Sequence, residues 1–226
     1  MSNKDGLGLS DIGSELNHKG DISTADITSW KEKIDVSIAK SRKIRGGNYI
    51  QIATVDPLSL EPRCRTVVFR GFLKTESNGN QSIMKMITDK RSNKFSEVTN
   101  SARPIAEVVW WFAKSSEQYR IRGELKFVGE DEMDSSLLIS RKEMWGNLSD
   151  PAREQFFWKD PGLPFESDSI VPVGGRDDDG KILPPPNNFL MMLLYPKSCD
   201  YLRLGDNFRQ NDVYEKGVWT TKRVNP

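Results

Sequence analysis

The stretch Arg63-Cys-Arg-Thr-Val-Val-Phe-Arg-Gly-Phe72 constrains this chain more than any other. Its β-branched and aromatic residues, Thr66, Val67, Val68 and Phe69, read as a strand. Alternation puts Arg65, Val67 and Phe69 on one face, and Cys64, Thr66, Val68 and Arg70 on the other. Guanidinium groups then stand on both faces. A buried charge needs a partner, so this is a poor pure core strand. Either it is an exposed edge strand, where arginines discourage pairing with other chains, or an anionic ligand lies along it. Arginine suits the second case, because its planar fork holds two phosphate oxygens at once.

Composition narrows the chemistry. A chain of 226 residues can bury the core of one large domain. A net charge of +1 argues against a nucleic-acid protein, which carries a marked basic excess. Met1 to Ser10 is polar, and no apolar run approaches the ~20 residues of a membrane span. Two cysteines, Cys64 and Cys199, give neither a disulfide framework nor a zinc cluster, so a reducing, cytoplasmic setting is expected. His18 is the only histidine. A Ser-His-Asp triad, a Cys-His pair and a histidine-ligated metal are therefore unexpected, and no metal site is predicted. Redox or group-transfer chemistry must come mainly from a bound cofactor.

Along the chain, residues 1–27 are polar and aperiodic and read as a flexible tail. Thr28 or Ser29 can cap a helix carrying Trp30, Ile34, Ile38 and Ala39 at helical spacing. Tyr49 to Val55 is a strand, and Asp56-Pro57 turns it into the arginine strand as a hairpin. A polar turn through Asn78-Gly79-Asn80 leads to a strand over Ile83 to Thr88. A short helix with Phe95 and Val98 follows, with Ser92 as its N-cap. Its start, with Arg91 and Lys94, would be a phosphate seat or simply a solvated helix end. Ile105 to Phe112 and Gln118 to Val128 are strands, the second cleanly alternating, with Gln118 on its polar face. Asp131 to Leu148 is a helix that places Arg141 near its apolar stripe, and Ser149-Asp-Pro151 starts another. Residues 160–188 are rich in Pro, Gly and Asp and read as a long loop, either disordered or a lid. Phe189 to Tyr195, Cys199 to Leu204 and Val218 to Val224 are the last strands, the final two joined by a loop holding Asn207 and Arg209. Seven or eight strands with peripheral helices predict a mainly β fold, an antiparallel barrel.

Several of these segments, in this order, resemble the pyridoxamine 5′-phosphate oxidase family. They are Ala53-Thr-Val-Asp-Pro57, Arg65-Thr-Val-Val-Phe-Arg-Gly-Phe72, Thr88-Asp-Lys-Arg-Ser-Asn-Lys94, Gln118 and Trp219-Thr-Thr-Lys-Arg-Val-Asn-Pro226. The chain is most similar to that family's divergent FMN-binding branch. The resemblance implies an FMN-binding split β-barrel over residues 28–226, with 160–188 as an insertion. It implies a homodimer with FMN at the subunit interface. It also implies an oxidase passing a hydride from C4′ of a B6 vitamer phosphate to flavin N5, with dioxygen as acceptor. Carried over, Arg65, Thr66, Val67 and Val68 run along the flavin, and Thr88, Ser92 and Lys94 hold its phosphate. Gln118 reaches the ring, Arg209 contacts FMN from the C-terminal region, and Gln155 stands in for a pair from the second subunit. Arg70 lies near both FMN and substrate, and Arg141 matches a substrate-phosphate arginine. The departures fall on the substrate side. Gly205-Asp-Asn-Phe-Arg209 replaces an Arg-Leu-His loop, and Leu202 stands for a tryptophan. Leu137 lies near a tyrosine position, and Asn93 replaces an arginine. The other readings are an FMN enzyme for a different small molecule, and a carrier of FMN or pyridoxal phosphate without turnover.

Overall fold

A computed structural model describes residues 28–74, 81–165 and 171–226. The expected N-terminal tail, the Asn78-Gly79-Asn80 turn and residues 166–170 of the long loop lie outside the described residues.

Helix α1, Trp30–Ser41, begins as its sequence dictates. The Ser29 hydroxyl accepts from the Glu32 amide while the Glu32 carboxylate accepts from the Ser29 amide, a reciprocal capping box. Its buried stripe of Trp30, Ile34, Ser37 and Ser41 faces the sheet. Strands β1, Tyr49–Val55, and β2, Pro62–Val68, form the expected hairpin, in register from Tyr49 opposite Val68 to Val55 opposite Pro62. Alternation holds: Val67 and Phe69 enter the core, while Cys64 and Thr66 are exposed. The strand is shorter than expected. Its ladder stops at Val68, and Gly71 takes a φ of 101° that a side chain would resist.

Strand β3, Met84–Asp89, leads into the short helix α2, Asn93–Thr99. Strand β4, Ile105–Phe112, pairs along its full length with residues 117–124 of β5, Glu117–Val128. Helix α3, Ser135–Gly146, starts later than the pattern suggested, because Asp134 caps it by accepting from the Ser136 and Leu137 amides. Helix α4, Asp150–Glu154, has Pro151 in its first turn. Strands β6, Phe189–Arg203, β7, Phe208–Glu215, and β8, Val218–Val224, complete the sheet.

All pairings are antiparallel, in the order β2-β1-β4-β5-β6-β7-β8, with β3 on β6. The ladders do not close. The Arg70 amide donates to Lys85, and the Lys85 amide donates to Gly71, so the chain beyond β2 approaches β3 at one end only. Among the described residues, β2 keeps an open edge alongside Arg65 to Val68. Inside the curl lie Ile52, Val108, Trp110, Tyr119, Ile121, Met192 and Tyr201. A second core, with Leu137, Trp145, Phe156, Phe189 and Met191, lies under α3 and α4.

Three expectations need correction. The segments Phe189–Tyr195 and Cys199–Leu204 are one strand, since Pro196 falls at an irregularity where the β5–β6 register shifts between Arg122 and Gly123. The loop expected to hold Asn207 and Arg209 contains the whole of β7, with Asn207 in the turn before it; the strand was hidden in sequence because its inward positions include Gln210 and Asp212. Part of the long loop is tied to the helices beside it rather than disordered, while residues 160–165 are exposed. Trp145 Nε1 donates to the Leu183 carbonyl at 2.7 Å, and Arg176 bonds both Asp150 carboxylate oxygens.

Candidate functional site

The end of β3, the turn after it and the open edge of β2 bring four of the sequence candidates together. Lys94 Nζ donates to Thr88 Oγ1 at 3.0 Å and to Ser92 Oγ at 3.1 Å. The two hydroxyls lie 3.1 Å apart, and Ser92 Oγ also donates to the Asp89 carbonyl at 2.7 Å. Ser92 occupies the N-cap position of α2, but its side chain caps nothing. It serves the lysine instead. Burial first, and the charge of Arg65 second, push the Lys94 ammonium below the ordinary lysine range, with Asp89 and Glu97 opposing.

Arg65 leans from β2 toward α2. Its Nη2 donates to Glu97 Oε2 at 2.7 Å, and its Nη1 to the Thr54 hydroxyl and the Arg63 carbonyl. Thr54 also donates to Glu97. Glu97 is buried, and neither it nor Thr54 was singled out from the sequence. The available signal was an acidic residue on the inward side of a short helix, three positions after Lys94. Arg91 is also placed differently than expected. Its charge is taken up by Asp89 and Asp160 rather than added to the cluster.

Arg70 stands past the end of β2. Its Nε is buried and has no hydrogen-bond partner among the described residues. Burial lowers its pKa from the ordinary value, with Tyr49 opposing. A buried guanidinium N–H without an acceptor is costly, and a ligand oxygen would relieve it. Thr66 is exposed and Val68 half-buried on the outer face, while Val67 is packed in the core, so it can offer a ligand only main chain.

The remaining candidates lie elsewhere. Gln118 is on the outer face of the sheet, between Trp111 on β4 and Leu202 on β6. Arg209, opposite Leu202, holds both Asp200 carboxylate oxygens, at 3.0 and 2.7 Å. Gln155 donates to the Pro151 carbonyl. Arg141 is buried, not at the stripe's wet margin. Its Nε donates to the Phe189 carbonyl, and its Nη2 donates to the carbonyls of Phe189 and Pro186. Its fork is therefore largely committed to the start of β6. A cavity of about 750 Å³ opens between α2 and the β4–β5 edge and is lined by Thr54, Glu97, Arg103, Arg122 and Lys197. It adjoins the cluster only through the Thr54–Glu97 wall.

The donor set fits a flavin mononucleotide. A buried ammonium flanked by hydroxyls suits a phosphate, and an open strand edge offers alternating N–H and C=O groups to a heterocycle. The orphaned Arg70 Nε waits beside that edge.

Comparison with known proteins agrees. Residues 27–129 match the profile of the pyridoxamine 5′-phosphate oxidase FMN-binding domain. Pyridoxine/pyridoxamine 5′-phosphate oxidase 2 of Arabidopsis thaliana is 30% identical over 206 residues, spanning 88% of this chain and 98% of that protein. A crystal structure of a pyridoxamine 5′-phosphate oxidase-related, FMN-binding protein from Nostoc punctiforme superposes with a TM-score of 0.74 at 32% identity, covering 89% of this chain and all of that one. PhzG from Burkholderia lata shares the fold, with a TM-score of 0.63 at 16% identity over 93% of this chain and 100% of that one.

Fold and cluster together define a flavoprotein of the split-barrel class, with FMN as its cofactor. The chain belongs to the pyridoxamine 5′-phosphate oxidase family.

Proposed function

We propose that this protein is an FMN-dependent oxidase of a small phosphorylated substrate, with pyridoxamine or pyridoxine 5′-phosphate as the first substrate to test. The observation that carries the reading is the Lys94–Thr88–Ser92 cluster beside the open edge of β2. In this reading Lys94, Thr88 and Ser92 hold the FMN phosphate, with Arg65 behind them. The main chain of Arg65 to Val68 lies along the ring system. When bound, FMN would supply the redox chemistry, as acceptor of a hydride from the substrate C4′ carbon and donor of two electrons to dioxygen, which with protons from solvent would give hydrogen peroxide.

The chain's own task is placement. Arg70, with its unpartnered Nε, holds an anionic group of substrate or flavin at the β2–β3 junction. Arg141 fits the substrate phosphate less well. With Nε and Nη2 spent on carbonyls, only Nη1 is left for a ligand. Gln118 and Arg209 stand on the outer face, with Arg209 far across the sheet from β2. They reach a flavin most simply from a second copy of the chain, so the active form in this reading is a homodimer in the cytoplasm.

One observation favours a different small substrate for the same cofactor. In the Gly205-to-Arg209 turn, Asp206 is locked to Arg203 at 2.9 and 2.6 Å, and Asn207 sits at a φ of 54°. The turn therefore offers a paired carboxylate and an amide, and no imidazole. The deciding experiment is a visible spectrum of the purified protein, followed by anaerobic addition of pyridoxamine 5′-phosphate. Bleaching of the flavin band, with aldehyde and peroxide formed on admitting air, is the expected result. A yellow protein that does not bleach removes the B6 substrate and leaves the flavin site standing.

A further inference from the structure

Arg91 carries more connections than its place in an exposed turn requires. Its Nε donates to Asp89 Oδ1 at 3.0 Å and its Nη2 to Asp89 Oδ2 at 2.7 Å, a fork-on-carboxylate pair. Its main-chain amide reaches Asp89 Oδ1 at 2.7 Å. Its Nη1 donates to Asp160 Oδ1 at 2.8 Å and to the Trp158 carbonyl at 2.9 Å, and its Nη2 touches the Phe156 carbonyl at 3.4 Å. Asn188 braces the same carboxylate, donating to Asp89 Oδ2 at 2.8 Å and to the Phe156 carbonyl at 2.9 Å.

Asp89 lies at the heart of the proposed phosphate turn. Its carbonyl accepts from the Ser92 amide at 3.0 Å and from Ser92 Oγ at 2.7 Å, and so fixes the hydroxyl that meets Lys94. Its carboxylate is close enough to act on the Lys94 charge. An unneutralised carboxylate there would repel a phosphate at the very place where the turn offers donors. The turn needs Asp89 for its shape, and an incoming anion needs Asp89 silenced.

We propose that Arg91 is a positioning residue for the FMN phosphate: it neutralises Asp89 and ties the Thr88–Ser92 turn to the Phe156–Asp160 segment. It touches no flavin atom itself. The inference rests on the phosphate reading of the Lys94 cluster, and a pair of flavins separates the two. Riboflavin lacks the phosphate and FMN carries it.

Flavin fluorescence is titrated with apoprotein of the wild type, Arg91→Ala, Arg91→Lys and the double variant Asp89→Asn/Arg91→Ala. Arg91→Ala is expected to weaken FMN about tenfold or more, the scale of one lost charge compensation, while riboflavin affinity holds within about threefold. Arg91→Lys keeps the charge but loses the fork, and falls between. The double variant removes the carboxylate charge as well, and FMN affinity recovers most of what was lost. An equal fall for both flavins would reduce Arg91 to a structural brace and overturn the proposal, as would unchanged FMN affinity. Should Arg91→Ala not fold, Arg91→Lys carries the same comparison. A wild type that does not prefer FMN to riboflavin overturns the phosphate reading beneath, and the inference with it.

Discussion

In the proposed reading, Lys94 is the residue on which the cofactor site turns. Burial and the neighbouring Arg65 disfavour its charged form in the protein alone. A phosphate dianion reverses that preference, so binding and protonation favour one another. The sign follows. FMN affinity falls as pH rises through the Lys94 value, which lies below that of an ordinary lysine. Stability of the apoprotein moves the other way. The folded state disfavours the ammonium, so that penalty is relieved as pH climbs from the lowered value to the ordinary one. Titrating FMN between about pH 7 and about pH 10 should show the fall. Lys94→Arg should flatten it, because a guanidinium stays charged throughout. Lys94→Ala should weaken FMN by about 2 kcal/mol at neutral pH. A pH profile identical for wild type and Lys94→Arg would remove Lys94 from the phosphate.

Among the elements, the β5–β6 ladder carries the sheet, and its weak point is specific. At the register shift, a Cβ added to Gly123 would lie 2.2 Å from the Tyr195 carbonyl oxygen. Backbone opposes it there, so no side chain can swing away. Gly123→Ala should cost roughly 3 kcal/mol, near the upper end for overpacking, read as a lower urea midpoint. An unfolding free energy within about 0.5 kcal/mol of wild type would mean that the bulge yields freely. The same ladder shows what the sequence could and could not disclose. β1, β4 and β8 were legible to the residue, because apolar side chains alternate or run between turn signals. β6 looked like two strands because Pro196 normally ends one, and only the bulge lets it stay. β7 was hidden because Gln210 and Asp212 point inward and bond to groups beyond the strand, with Gln210 Oε1 left without a partner among the described residues. Gln210 Nε2 donates to the Thr28 carbonyl at 2.8 Å, and Asp212 Oδ1 accepts from Thr221 at 2.7 Å and from the Trp30 amide. The site divided in the same way. Thr88, Ser92 and Lys94 are close in sequence and meet in space. Glu97 and Thr54 meet Arg65 only through tertiary packing, and the burial of Arg141 depends on how β6 enters the sheet.

At the scale of the whole molecule, the proposed homodimer would make the outer face of the sheet the link between assembly and cofactor binding. Tyr49 and Trp111 keep 52% and 43% of their surface on it, in a region that also holds Gln118 and Leu202. Large aromatic surface beside polar anchors is what an interface core is made of. If a second copy covers this face, one chain's β2 edge and its partner's outer residues enclose the flavin together. Trp111→Asp tests this without threatening the fold, since Trp110, not Trp111, is packed inside. The expected outcome is a monomer by light scattering that still melts cooperatively in the apo form, with FMN lost. Dilution of the wild type should release FMN in step with dissociation, because a site built from two chains inherits the concentration dependence of their pairing. A Trp111→Asp monomer that stays fully yellow would place the whole flavin site within one chain. Gln118 and Arg209 would then be residues of the surface, and the β2 edge with Lys94 would have to hold the cofactor alone.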